Sequence, residues 1–190
     1  MKTIINYKNI YYPPGGILLW IIIYLELITF GIALIAMVYY GKEEPSLFHN
    51  SRLMLNSTYG MVNTIFLLTS GFFMASAVNE LKANALQKSK TYLLITILFG
   101  FLFLVLKSIE YTGKLDEGLD MSYNSFFTFY WSLTLFHVIH VIVGLVILIS
   151  VYYGLKKPKT TIEDVEAGAA FWHMCDLIWL LLFPVIYLIF

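Results

Sequence analysis

Two ionisable side chains three residues apart, His173 and Asp176, lie in Glu166-Ala-Gly-Ala-Ala-Phe-Trp-His-Met-Cys-Asp-Leu-Ile-Trp179, which runs into an apolar tail reaching Phe190. At that spacing they stack on one helix face. His137 and His140 repeat the spacing in another apolar stretch, and Glu26 stands in a third. Such groups are costly at membrane depth, so they face the protein interior and have partners. Placement near a helix end, reaching the headgroups, is the plainer alternative for the final pair. Three chemistries suit the set. The imidazoles and carboxylates offer nitrogen and oxygen ligands for zinc or non-haem iron, but the Glu-x-x-His pairs of a di-iron bundle are absent. A hydrogen-bonded cluster holding helices together needs only one shared packing face. A proton relay is the third.

The elements that position these residues are membrane spans. Of the 190 residues 59% are hydrophobic and 13% charged, against about a quarter charged in soluble domains. Five apolar stretches reach the roughly 20 residues a crossing needs: 17–40, 59–78, 91–111, 126–153 and 167–190. Helices are expected, because strand alternation is missing and an open sheet cannot satisfy its backbone in lipid. The expectation is an all-α, polytopic, five-helix bundle forming one domain over 1–190, with no room for an extramembrane domain in the connections at 41–57, 79–90, 112–125 and 154–166. Pro13-Pro14-Gly15-Gly16 marks the start of the first helix. The N-terminus lacks the short apolar core and cleavage site of a signal peptide. Zero net charge without a basic patch argues against nucleic acid, and the single Cys175 reads as packing.

Depth follows from the helix rise. Glu26 is about 15 Å into the first span, and His140 and His173 come out about 18 to 20 Å from the same membrane face, permitting contact between the fourth and fifth spans. The last helix is expected to begin at the cap Thr161, with Asp164 three residues on. Asn63, Thr64, Thr69, Ser70, Gly71 and Ser76 mark the second span as the most closely packed. Lys107 and Glu110 read as an interfacial ion pair with a snorkelling lysine. Lys2, Lys8, Lys82, Lys88, Lys90, Lys156, Lys157 and Lys159 fall on one side, against Lys42, Arg52, Lys107 and Lys114 on the other. That bias places the N-terminus in the cytoplasm and the C-terminus outside.

Three segments carry a resemblance. Glu166 to Trp179 is similar to the final helix of subunit III of the haem-copper (cytochrome c or quinol) oxidases, with its Glu-Ala, Trp-His and Asp-then-Trp hallmarks. Phe136-His-Val-Ile-His-Val-Ile-Val-Gly144 resembles that family's His-x-x-His-Val helix, and Ser108-Ile-Glu-Tyr111 its Glu-Tyr segment. The resemblance implies a multi-pass subunit of a prokaryotic cytoplasmic membrane with no catalytic or redox centre of its own. It would pack on the catalytic subunit I, bind phospholipid, and support assembly and sustained proton uptake, while haem and copper sit in partner subunits. His137, His140, His173, Asp176 and Glu166 match family motif positions; with Glu26 they form the expected structural polar cluster.

Seven-helix members of that family have two further N-terminal helices, and this chain resembles the short prokaryotic forms, for which another subunit would supply the missing wall of the lipid cleft. The family commonly places a carboxylate in the helix corresponding to the second span. A gapless alignment through Ile95-Thr-Ile-Leu-Phe-Gly100 puts Ala83 there and Glu80 about one turn away, making Glu80 the candidate proton-entry or lipid-site residue. Trp172-His-Met-Cys-Asp-Leu177 also resembles the accessory subunits of nitric oxide reductases, the alternative within this fold. The alternative of another class, an independent small proton or solute conductor, draws on Glu26 and the buried histidines but lacks inverted repeats and interrupted helices.

Overall fold

The computed structural model describes residues 15–155 and 161–190. Among them are six helices: α1 (Gly16–Glu43), α2 (Pro45–Leu53), α3 (Ser57–Lys82), α4 (Leu86–Asp116), α5 (Ser125–Gly154) and α6 (Ile162–Tyr187). The five long ones are apolar and long enough to cross a bilayer. The chain is a multi-pass, all-helical membrane protein.

Local chemistry fixes the helix ends. Gly15 takes φ 81° in front of α1, a conformation that glycine adopts without a Cβ penalty. Thr161 accepts from the Asp164 N–H at 3.2 Å while the Asp164 carboxylate accepts from the Thr161 N–H at 2.8 Å, closing the expected capping box of α6. After α3, Asn84 adopts φ 60°. Its N–H donates to the Leu81 carbonyl and that of Ala85 to Glu80, so the last carbonyls of the helix are satisfied. The connection expected at 41–57 holds α2, with Pro45 at its first position, where the missing N–H costs nothing.

α6 is the axis of the bundle, packed against α1, α3 and α5, while α3 and α4 form a close hairpin. α1 rests on α5 and α6 and does not pack along α3. Small and hydroxylated residues bring the hairpin together, as the sequence of the second span predicts. The Ser70 hydroxyl donates to the Thr96 carbonyl at 2.9 Å, Thr96 returns a bond to the Ser70 carbonyl at 3.3 Å, and Ser89 donates to Ala77 at 2.8 Å. Trp172 is the keystone. Its indole donates to the Ser70 hydroxyl at 3.0 Å and fills the notches left by Gly100 on α4 and Gly144 on α5, where an added Cβ would come within 2.7 and 2.8 Å of the ring.

Candidate functional site

Register along the helices puts the ionisable residues at defined levels. The α5–α6 contact is made by Trp172 against Gly144 and by Trp179 against His137. His140 is therefore level with Asp176, about one turn beyond His173, the residue that the helix rise alone puts at its depth. The direction around each helix differs from the expectation. His140 turns to α1, where its Nε2 lies 3.2 Å from a Glu26 carboxylate oxygen. Distance permits an ion pair there, but the angle falls outside hydrogen-bond geometry, so that oxygen has no hydrogen-bond partner. The Nδ1 of His140 sits 2.8 Å from the Phe136 carbonyl, which holds the ring toward α1.

Asp176 turns the other way. Its carboxylate lies over Gly71 on α3, so close that a Cβ on Gly71 would stand 2.5 Å from the Asp176 Oδ2. That oxygen is 3.3 Å from His173 Nδ1. The aspartate side chain is 10% exposed and the histidine 43%, so the imidazole reaches the outer surface of the bundle. His137 is fully buried in an aromatic box of Phe30, Phe103 and Trp179, and neither ring nitrogen has a hydrogen-bond partner. Glu166 is about two turns before His173 and pairs with Lys82 of α3 at 2.6 Å through one oxygen; the other is buried and unpartnered. Glu80 is half-buried in the last turn of α3.

The single polar cluster expected from His137, His140, His173, Asp176, Glu26 and Glu166 is thus three separate pairs and an isolated imidazole. The physical reason is azimuth: a 100° turn per residue sends His140 toward α1 and His137 between α4 and α6. Among the described residues no three His, Cys, Asp or Glu side chains converge as a metal-binding group. The zinc or non-haem-iron arrangement weighed from the sequence is not formed by them.

The most completely bonded site lies where a surface pair was expected. Lys107 and Glu110 are each 1% exposed, which corrects the snorkelling reading. The ammonium donates to Glu110 Oε2 at 2.9 Å, to the Tyr187 hydroxyl at 2.9 Å and to the Tyr130 hydroxyl at 3.4 Å. Both phenols donate onward to Glu110 Oε1, at 2.6 and 3.0 Å. The rings of Tyr111, Tyr130, Trp179 and Tyr187 surround the cation at 5.0 to 5.5 Å. Neither ion is left uncompensated, which is the condition for tolerating a buried pair. Tyr130 and Tyr187 were missed in the sequence. The available signal was a tyrosine inside each of two apolar runs, since a buried phenol needs a hydrogen-bond partner.

With this interior in view, comparison with known proteins is informative. A family model described as cytochrome c oxidase subunit III matches residues 17–189. The chain belongs to the cytochrome c oxidase subunit III family. The match covers all five spans and every pair described above. Among relatives in the family, the cytochrome bo(3) ubiquinol oxidase subunit 3 of Buchnera aphidicola is 27% identical over 173 residues, 90% of this chain and 84% of that one. The cytochrome c oxidase subunit 3 of Synechocystis is 33% identical over 132 residues, 67% of this chain and 55% of that one. The heme-copper oxidase subunit I+III of Aeropyrum pernix is 26% identical over 180 residues, 90% of this chain but 22% of that polypeptide. The chain therefore spans most of the Buchnera relative and about half of the Synechocystis one. Family membership and the five spans make it a multi-pass protein of a prokaryotic cytoplasmic membrane.

Proposed function

We propose that the chain is a non-redox integral subunit of a haem-copper respiratory oxidase. It packs on the catalytic subunit, binds phospholipid, and supports assembly and sustained proton uptake, with its N-terminus in the cytoplasm; haem and copper belong to its partners. The observation that carries this reading is the family match running from residue 17 to 189. A polypeptide named as subunit I+III supports the choice of partner, because in that protein the two are joined in one chain. The interior supports a structural role: its carboxylates are taken up in pairs, His140 with Glu26, His173 with Asp176, Lys82 with Glu166 and Lys107 with Glu110.

The test is a gentle detergent purification through an N-terminal tag, with mass spectrometry and an absorbance spectrum of whatever accompanies the chain. A haem- and copper-bearing core in near equal amount is the expected result. A core with haem and non-haem iron but no copper would instead make the chain a nitric oxide reductase accessory. A colourless, partner-free chain would overturn both and call for proton-flux measurements in liposomes.

A further inference from the structure

Because α1 rests on α6 without packing along α3, a groove opens over α6 between them. Two adjoining cavities occupy it, of about 300 Å³ and 340 Å³, sharing Trp20, Ala170 and His173. Alanines form much of the floor and one wall: Ala169 and Ala170 on α6, Ala75 on α3. Small residues at such a surface let another backbone approach closely.

The polar groups of the groove are incompletely satisfied from within the chain. His173 lines both cavities with its side chain 43% exposed. Its Nδ1 is engaged with Asp176, leaving Nε2 directed away from that contact. Glu166 lines the first cavity; its side chain is 9% exposed, and the oxygen not used by Lys82 is buried without a hydrogen-bond partner. His173 is six residues past Ala167, where the apolar run of α6 begins, so the imidazole is about 9 Å into that run, at the level of the acyl chains of a bilayer. An uncovered imidazole at that depth is unfavourable in hydrocarbon.

We propose that this groove receives a transmembrane helix of the haem-bearing partner subunit, a ridge of its side chains filling the two cavities and one hydrogen-bonding side chain meeting His173. The inference rests on the subunit reading above and names the face that makes the contact. Depth selects a helix over a lipid. A phospholipid brings only acyl chain to that depth, whereas a helix presents a hydrogen-bonding group at any level. A second such group, seven residues nearer the start of α6, reaches Glu166.

The experiment uses the intact purified complex carrying a photoreactive amino acid at one position at a time. Ala75 and Leu177 lie in the groove; Leu98 and Val105 are exposed on α4, which borders neither cavity. Groove positions are expected to crosslink to a peptide of the haem-bearing subunit, and α4 positions to lipid or detergent. Ala170→Trp, which fills the floor between Glu166 and His173, should abolish the groove crosslinks while circular dichroism shows an unchanged helical chain. His173→Phe should weaken retention of the partner about threefold, the scale of one interhelical hydrogen bond in a membrane. Crosslinks to lipid or quinone alone from Ala75 and Leu177, or to the partner only from α4, would overturn the inference while leaving a haem-bearing complex and the subunit reading intact. A preparation without haem would defeat both.

Discussion

Lys107→Met tests whether the Lys107–Glu110 site holds the bundle together. The substitution keeps the apolar stem and removes the cation from a place where both ionisable side chains are 1% exposed. Glu110 keeps two phenol donors, at 2.6 and 3.0 Å, but faces no positive charge. Removing one partner of a buried pair costs about 3 to 5 kcal/mol, and the two remaining hydrogen bonds favour the lower figure, about 3 kcal/mol. That amounts to about two orders of magnitude in the folded-to-unfolded ratio. The double substitution Lys107→Met with Glu110→Leu leaves no uncompensated charge and should recover at least about 1 kcal/mol of the loss. Reversible unfolding in mixed micelles, followed by tryptophan fluorescence, measures all four corners of the cycle. If Lys107→Met stays within about 1 kcal/mol of the parent, or the double variant is as unstable as the sum of the single ones, the site is not a coupled network.

Gly71→Ala would drive a methyl against the Asp176 carboxylate and should lower stability by about 1 to 3 kcal/mol, while Gly31→Ala, where a Cβ meets open space, should not; thermal inactivation in detergent compares them. Thr161→Ala removes half of the capping box and should cost about 1 kcal/mol, read as earlier loss of amide-exchange protection in the first turn of α6. Asp120, in the connection after α4, accepts from the Ser122 hydroxyl at 2.7 Å and its N–H at 2.8 Å, and these bonds hold its carboxyl below the usual range. A depressed folded-state value means the turn is supported above the free-aspartate range and loses that support as pH falls through the folded value. A carbon NMR titration of Asp120 should give a midpoint below that of free aspartate, and Ser122→Ala should raise it. Finally, His173→Leu or Asp176→Leu should reduce retention of the chain in its complex more than electron transfer per assembled complex. Turnover that collapses in a fully assembled complex would refute that ordering.

The spans were legible because each needs a long apolar run, a property independent of tertiary context. So was the start of α6, since Thr161 and Asp164 carry a local hydrogen-bond pattern. Depth along a helix was legible to within about one turn: the rise alone levels His140 with His173, and the packing register levels it with Asp176, three residues on. What the chain does not declare locally is which way a residue points. Spans apolar on every face carry little moment, so periodicity does not separate the side touching lipid from the side touching protein. His137 and His140 thus read as one face, and Lys107 as interfacial from its place near a helix end. Its burial depends on Tyr130 and on Tyr187, the latter eighty positions away. α2 escaped notice because nine residues are too few for a span, although Pro45 marked a helix start.

α2 is held by residues far along the chain. Arg52 donates to the Tyr187 carbonyl across 135 positions, Ser51 accepts from Asn124, and the Phe48 ring packs on Phe126 and Phe190. None of these partners exists when α1 and α2 leave the ribosome, and those on α6 and beyond it arrive only with the fifth span. During synthesis Phe48 is therefore without a partner until Phe126 arrives on α5, and its cover is completed only when Phe190 follows α6 into place. A chain that stalls before that point displays an aromatic residue that a finished one hides.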